Sequence, residues 1–449
     1  MDSKQLLQQN AALPPRRKRL QRFYLFLGIS VFASVVYFSY ANHQGHDETD
    51  TASAPYDFSQ HKNGYHSKRL NQPNIVFILT DDQDIVLAGA DHMPKTYEMV
   101  AQQGAVMENS FVASPLCCPS RSTILSGRFV HNHRAYNNSF IGGCSGTHWQ
   151  NVVEKEALPV HLQSAGYKTF FAGKYLNQYG KRQSGGTSHV PPGWDTWNGL
   201  VGNSKYYNYT LSVDGISEVH GNDPDKDYLT KIIWERAKEF LETVTGGVTQ
   251  KNEKNFVESP HKNENVVPPP FFIMMSTPSA HAPFDAEPQY MDNFADLKAK
   301  RTASFNIAND ETKHWLLRLG EQPLSDDIID KVDDIFRKRL RTLLTVDDMV
   351  GDIVSILEAK NLMDNTYVVF ASDNGYHLGQ FSMPLDKREP YEFDIRVPLM
   401  IRGPGIKKGV TLSYPTVNVD LLPTFLDWAG IAIPEYIDGI SLKDILMET

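Results

Sequence analysis

Asn74-Ile75-Val76-Phe77-Ile78-Leu79-Thr80, followed at once by Asp81-Asp82, is the stretch on which the fold turns. Its five central residues are all apolar, with no polar alternation. A strand with one face in water would alternate, so this run suits a strand buried on both faces of a parallel sheet. Two further runs have the same character, Phe271-Phe272-Ile273-Met274-Met275 and Tyr367-Val368-Val369-Phe370-Ala371. Helix-like stretches lie between them. The clearest runs from Ile335 to Leu357, with Phe336, Leu340, Leu343, Val350, Val354 and Leu357 at three-to-four spacing. Asp347 interrupts that stripe and reads as a buried, hydrogen-bonded residue supporting a loop. Strands alternating with helices predict an α/β fold, a large, mostly parallel mixed sheet sandwiched by helices.

Outside this body the composition changes. Residues 42–72 are polar, rich in His, Asp, Ser and Asn, and read as a flexible stalk. Before them, Phe23 to Ala41 carries no charge and follows Arg16, Arg17, Lys18, Arg19 and Arg22. A helix of about 19 residues spans roughly 28 Å, close to a bilayer core. Residues 1–22 then form a cytosolic basic tail, and everything after the apolar run is lumenal or extracellular. Residues 23–41 are either a transmembrane signal-anchor or a signal peptide cut near Ser39-Tyr40-Ala41. Residues 245–270 are polar, end in Pro268-Pro269-Pro270, and read as a surface insertion.

The chain of 449 residues carries a net charge of −9. Taking away the six basic residues and one acidic residue of positions 1–41 leaves 38 basic and 52 acidic residues, a net of −14. Basic residues are not clustered elsewhere, so a nucleic-acid partner is excluded. An acidic body can still bind an anion through a local metal or basic pocket. Three cysteines, Cys117, Cys118 and Cys144, are too few for a disulfide scaffold. Asn137-Asn138-Ser139 and Asn208-Tyr209-Thr210 are glycosylation sequons that fit a lumenal body.

In open α/β sheets, ligands bind beyond the carboxyl ends of the strands. Here the first strand runs into Asp81-Asp82 and the 367–371 strand into Ser372-Asp373-Asn374-Gly375. As parallel neighbours they bring Asp81, Asp82, Asp373 and Asn374 to one edge. Three carboxylates there repel one another without a cation, and hard oxygen ligands suit calcium or magnesium. Each acidic pair alone would more often be a turn or helix cap. The third element is Cys117-Cys118-Pro119-Ser120-Arg121, continuing to Leu125-Ser126-Gly127. Pro119 suits a first helical turn and Gly127 a helix end. Cys117 is thus expected just before a helix N-terminus, where backbone N–H groups favour an anion. A reactive thiol and half of a disulfide are the other readings of this residue.

Cys-x-Pro-Ser-Arg followed by Leu-Ser-Gly resembles the sulfatase signature, and the resemblance extends from Pro73 to about Leu446. It implies an alkaline-phosphatase-like fold for residues 73–449. It also implies oxidation of Cys117 to formylglycine by the formylglycine-generating enzyme, and one Ca2+ held by Asp81, Asp82, Asp373, Asn374 and the modified residue 117. If Cys117 is modified, Cys118 and Cys144 remain as a pair, expected to form a disulfide. Within the family the chain is similar to the animal glucosamine-6-sulfatase group, through His131-Asn132-His133, Gly173-Lys174-Tyr175-Leu176-Asn177, Lys205 to Thr210 and Lys313-His314-Trp315. The implied activity is hydrolysis of the 6-O-sulfate of N-acetylglucosamine or glucosamine units in heparan or keratan sulfate. The implied compartment is the lysosome, with Golgi membrane or secretion fitting the same N-terminus.

Individual roles follow only from the resemblance. Arg121 holds the formylglycine hydroxyl and the metal ligands. Lys174, Lys387 and His281 bind sulfate, and His281 is the candidate to protonate the leaving oxygen. His377 is a further substrate-binding candidate; His131 and His133 are candidates for proton transfer or sugar contacts. Many sulfatases have His where this chain has Leu176, and Asn177 or another His is expected to substitute. Relatives also continue about a hundred residues beyond the Asp438–Leu442 segment, so the small C-terminal subdomain is expected to be truncated. The competing functions are a phosphoester or phosphonate hydrolase of the same superfamily, and an inactive glycosaminoglycan-binding homologue.

Overall fold

The computed structural model describes residues 72–246 and 268–448. The expected tail and anchor, the stalk but for its last residue, and most of the 245–270 insertion lie outside the described residues. Among the described residues no helix is long and apolar enough to cross a membrane.

The strands in chain order are β1 (Asn74–Thr80), β2 (Ala105–Met107), β3 (Ser110–Phe111), β4 (Lys168–Gly173), β5 (Thr196–Leu200), β6 (Thr210–Val213), β7 (Ile216–Val219), β8 (Phe271–Ser276), β9 (Thr366–Ser372), β10 (Leu399–Arg402), β11 (Val410–Leu412) and β12 (Thr416–Val417). Ten of them form one sheet in the order β11-β2-β10-β9-β1-β8-β4-β5-β6-β7. From β9 through β5 every pairing is parallel, while β10 and the β6–β7 hairpin add antiparallel edges. This is the large mixed sheet that the apolar runs predict.

The central strands are buried on both faces because alternate residues enter two separate cores. Ile75, Phe77 and Leu79 of β1 join Val369 of β9 and Met274 of β8 in one core. The helices Cys117–Ser126, Leu158–Ser164 and Leu421–Trp428 close that side with Ile124, Leu162, Leu422 and Phe425. Val76, Ile78, Ile273 and Phe370 face the other core, with the helices Leu229–Val244 and Asp326–Ala359.

The long helix begins nine residues before the expected Ile335. Asp330, Asp333 and Asp334 give its first turns a charged look, but Ile328 and Val332 keep the apolar stripe running toward the core. Asp347 is buried and hydrogen-bonded, as its place in the stripe implies, but what it supports is the short helix Pro94–Thr96 and not a loop. It accepts hydrogen bonds from the amides of Thr96 (2.7 Å) and Lys95 (3.1 Å) and from the Thr96 hydroxyl (2.8 Å).

Candidate active site

Strand register assembles the site. In the β1–β9 pairing Thr80 lies opposite Ser372, so the next residues, Asp81 and Asp373, leave the sheet side by side. On the other flank Leu79 pairs with Ser276 of β8, and Ser276 pairs with Gly173 of β4. Four adjacent strands therefore deliver Asp373-Asn374, Asp81-Asp82, the Thr277–His281 loop and Lys174 to one edge. Gly173 makes the last turn possible. Its φ is +108°, and a Cβ there would lie 1.9 Å from the Ser276 carbonyl oxygen.

Cys117 enters from the side as the first residue of the Cys117–Ser126 helix, not the residue before it, with Leu116 at the N-cap. Gly127 ends that helix in the left-handed conformation. Cys117 is a buried, free thiol, and Cys118 is bonded to Cys144. The disulfide closes a span of 26 residues, which stabilises by about 3–4 kcal/mol in the chain-entropy picture.

The polar contacts are dense. Arg121 donates from Nε to Asp373 Oδ2 (2.7 Å) and from Nη1 to the Lys174 carbonyl (2.7 Å) and Ser276 Oγ (2.6 Å). Lys174 Nζ donates to Asp81 Oδ2 at 2.6 Å. Lys387 Nζ donates to Asp82 Oδ1 and stands 2.9 Å from Cys117 Sγ. Asp373 Oδ1 accepts the Asp82 amide (3.0 Å), and Asn374 Nδ2 donates to Asp82 Oδ1 (2.8 Å). His281 Nδ1 is 2.7 Å from the Ala282 carbonyl, and its Nε2 faces Asp82 Oδ2 at 3.8 Å. Tyr206, from the Lys205–Thr210 segment, secures that loop by donating to the carbonyls of His281 (2.9 Å) and Pro278 (3.1 Å).

Charges, not neutral dipoles, dominate here. Burial pushes the Asp81 carboxyl up, but Lys174, His281, Arg121 and Lys387 outweigh it and hold the group well below the usual carboxylate range. Asp82 is lowered too, burial being outweighed chiefly by Lys387 and His281. Asp373 is raised, because burial and the Asp81 charge exceed the pull of Arg121. Burial alone would raise the Cys117 thiol, yet Lys174 and Lys387 bring it below its ordinary value. Burial likewise pushes His281 down, while Asp82 and Asp81 overcome that and lift it to about 8.

Two oxygens decide whether a cation fits. Asp81 Oδ1 and Asn374 Oδ1 are buried and accept no hydrogen bond from the protein. A buried, unpartnered carboxylate oxygen is costly unless something positive meets it. Ligand atoms of Asp81, Asp82, Cys117 and His281 also lie within 4.8 Å of one another. The oxygen-rich donor set suits a hard divalent ion, so the residues present fit calcium or magnesium.

The structure brings Asp81, Asp82, Cys117, Arg121, Lys174, His281, Asp373, Asn374 and Lys387 together. His377 is buried beside them in sequence and strand-end loop, with Nδ1 2.9 Å from Asp394 Oδ1. His131 and His133 are elsewhere. His131 is exposed and stacks on Phe129. His133 accepts the Ala135 amide on Nδ1 (3.1 Å), so Nε2 carries the proton and donates to Thr123 Oγ1 (3.1 Å). Asn177 Nδ2 bonds Asn203 Oδ1 at 2.8 Å. Three contributors were not singled out from sequence: Ser204, which donates to Asp81 Oδ2; Ser276; and Asp394. Ser276 ends a buried strand, the same signal that exposed Asp81. Ser204 and Asp394 lie in segments with no comparable mark.

The family model described as Sulfatase matches residues 73–431. The chain is 45% identical to the human N-acetylglucosamine-6-sulfatase over 377 residues, 84% of this chain and 64% of that protein's length. It is 30% identical to an N-acetylglucosamine-6-O-sulfatase of Bacteroides thetaiotaomicron over 438 residues, 84% of this chain and 72% of that one. A solved structure in complex with its substrate D-glucosamine-2-N,6-O-disulfate superposes with a TM-score of 0.64 at 26% identity, covering 84% of this chain and 80% of that one. The chain thus spans less than two thirds of the human relative. A buried strand-end acidic cluster facing Cys117, with a family match over most of the described body, leads to one conclusion: the chain belongs to the sulfatase family.

Proposed function

We propose that this chain hydrolyses sulfate esters, and that its substrate is the 6-O-sulfate of N-acetylglucosamine or glucosamine units in heparan or keratan sulfate. The observation that carries the reading is the gathering of Asp81, Asp82 and His281 about Cys117, with Asp373 and Asn374 bonded to Asp82 and two buried oxygens left unmatched. The similarity to the human and bacterial glucosamine-6-sulfatases supports the choice of sugar.

A calcium ion at the acidic cluster would polarise sulfate oxygens, and a formylglycine made from Cys117 would supply, once hydrated, the attacking oxygen. The remaining work falls to the chain's own side chains. Three carboxylates face three fixed cations, Lys174, Lys387 and Arg121, so the pocket is near neutral by itself and becomes an anion trap with a divalent ion. Lys387, 2.9 Å from Cys117 Sγ, is placed to hold negative charge developing at position 117. Lys174 is placed to hold a sulfate oxygen from the β4 side. Arg121 ties Asp373, the Lys174 backbone and Ser276 into one frame, so the metal side and the sulfate side keep a fixed spacing. His281, its Nδ1 held 2.7 Å from the Ala282 carbonyl and its Nε2 turned toward Asp82 Oδ2 at 3.8 Å, is placed to give a proton to the departing sugar oxygen. His377, held by Asp394, is assigned to substrate contact.

The same proposal places the chain in the secretory pathway, with the lysosome as destination and Golgi membrane or extracellular space as alternatives. The Cys118–Cys144 disulfide and the exposed Asn137 and Asn208 sequons support it. Residues 1–22 serve as a cytosolic tail, 23–41 as a signal-anchor or signal peptide and 42–72 as a stalk. Sequencing the mature N-terminus separates anchor from cleaved peptide. The formylglycine-generating enzyme is the required maturation partner.

The test is the mass of the Cys117 peptide from protein made in a native secretory pathway, followed by turnover of glucosamine-6-sulfate with and without a calcium chelator. Formylglycine at 117 and chelator-sensitive release of sulfate are expected. Unmodified Cys117 favours a binding role, and faster turnover of a matched aryl phosphate than of the aryl sulfate overturns the substrate class.

A further inference from the structure

Arg339 stands in the middle of the Asp326–Ala359 helix and is completely buried. Burying a guanidinium costs several kcal/mol unless it is well partnered, and nothing in the proposed reaction uses it. Its partners are informative. Nη2 donates to the carbonyl oxygen of Asp82 and lies 3.3 Å from Asp84 Oδ2. Asp84 is itself fixed by the Leu87 amide. The guanidinium carbon sits 4.6 Å from the centre of the Tyr376 ring. One side chain from a helix on one face of the sheet therefore grips two loops, 81–84 after β1 and 373–377 after β9.

Asp82 shows why the grip matters. Its φ is +64°, in the left-handed region that non-glycine residues occupy only at a cost. That conformation lets its amide meet Asp373 Oδ1 (3.0 Å), its carboxylate meet Asn374 Nδ2 (2.8 Å) and its carbonyl meet Arg339. Rotating the residue back to an extended backbone would turn the carbonyl away from Arg339 and swing the carboxylate out of the cluster. Tyr376 adds the opposite anchor. Its amide is bonded to the Phe393 carbonyl (2.7 Å), so the ring face that receives Arg339 is itself held.

We infer that Arg339 is a positioning residue for the divalent-cation site. By clamping the Asp82 carbonyl and the Tyr376 ring together, it sets the spacing between the two loops that carry the acidic ligands, and through that spacing the affinity for the ion. The inference rests on the sulfatase reading only for the identity of that ion. Lysine is no substitute: an ammonium can reach the Asp82 carbonyl but has no plane to lay on the ring.

The test uses the full chain from secretory expression, as wild type, Arg339→Lys and Tyr376→Leu. Three quantities are read: the formylglycine fraction of the Cys117 peptide, the Tm against calcium concentration, and kcat against calcium concentration. Both variants should mature as wild type does. Their calcium midpoints, by Tm and by activity, should rise about 10- to 100-fold, the usual effect of losing a partner behind a metal ligand. Their kcat should recover at saturating calcium. A variant that folds and matures with an unchanged calcium midpoint overturns the inference, whatever its kcat. If Arg339→Lys is not secreted, Tyr376→Leu alone decides, since it removes the ring while leaving every charge in place. A wild type whose Tm responds to calcium but which turns over no sulfate ester defeats the sulfatase reading and leaves the inference measurable through Tm. A wild type indifferent to calcium defeats the inference with the site.

Discussion

Asp81 and Asp347 are both buried carboxylates, one at the end of β1 and one in the Asp326–Ala359 helix, yet they are treated in opposite ways. Asp347 meets only neutral donors, the Thr96 and Lys95 amides and the Thr96 hydroxyl, and both its oxygens are used. Burial dominates its titration, and its carboxyl is raised above the ordinary value in spite of those bonds. Asp81 meets a lysine and a serine on Oδ2, with Arg121 3.8 Å from Oδ1, and Oδ1 still accepts no hydrogen bond. Its carboxyl is lowered, because burial is outweighed by Lys174 and the other cations. A carboxylate that holds a fold is satisfied by dipoles and leaves nothing over. Asp81, by contrast, is held ionised by full charges and keeps a lone pair in reserve.

The sharpest way to break this comparison is the same substitution at both places. Asp81→Asn removes the charge that balances Lys174, and activity should fall about 10²- to 10³-fold, the usual loss when one fixed electrostatic partner goes. Asp347→Asn should leave kcat at saturating substrate near wild type and cost about 1–3 kcal/mol of stability, since an amide nitrogen cannot accept the Thr96 and Lys95 donors. Steady-state kinetics and chemical denaturation on both variants check this. Equal activity losses at the two sites would erase the distinction.

A second prediction concerns His133, a histidine assigned no part in the cluster. Burial dominates its titration and lowers the imidazole from 6.5 to about 4. Its folded form is neutral, so its contribution to stability is complete above pH 6.5 and drains as pH falls from 6.5 toward 4. The shift corresponds to about 3 kcal/mol over that window. His133→Gln should therefore be less stable than wild type near pH 7 and converge with it near pH 4, as read by urea midpoints. Parallel profiles would show that the neutral imidazole is not what the fold selects.

The smallest effect is expected at Ser204. Its hydroxyl donates to Asp81 Oδ2 beside Lys174, and Ser204→Ala should cost about 1 kcal/mol, read as a several-fold loss in kcat/KM with little change in Tm. No change at all would mean Lys174 alone sets that oxygen.

Legibility in the sequence followed the same divide between repeating pattern and isolated residue. β1, β8 and β9 were readable because a strand buried on both faces must be apolar throughout, and Asp81 and Asp373 stood out by ending such runs. The first turns of the long helix were not read because Asp330, Asp333 and Asp334 crowd the same turns as Ile328 and Val332. Lys174 and Lys387 lie in loops where a single lysine carries no local pattern, and only the resemblance to sulfatases pointed to them. Ser204 and Arg339 escaped altogether. Each acts across more than a hundred residues of sequence, on Asp81 and Asp82, through backbone geometry that only the folded chain supplies.

The central claim is that a divalent ion is held between the ends of β1 and β9 against residue 117. A calcium-soaked crystal with anomalous difference density tests it directly. The expected result is one peak about 2.3–2.6 Å from side-chain oxygens of Asp81, Asp82, Asp373 and Asn374, adjoining residue 117. A map with no peak among those four residues, at calcium concentrations that support turnover, contradicts it.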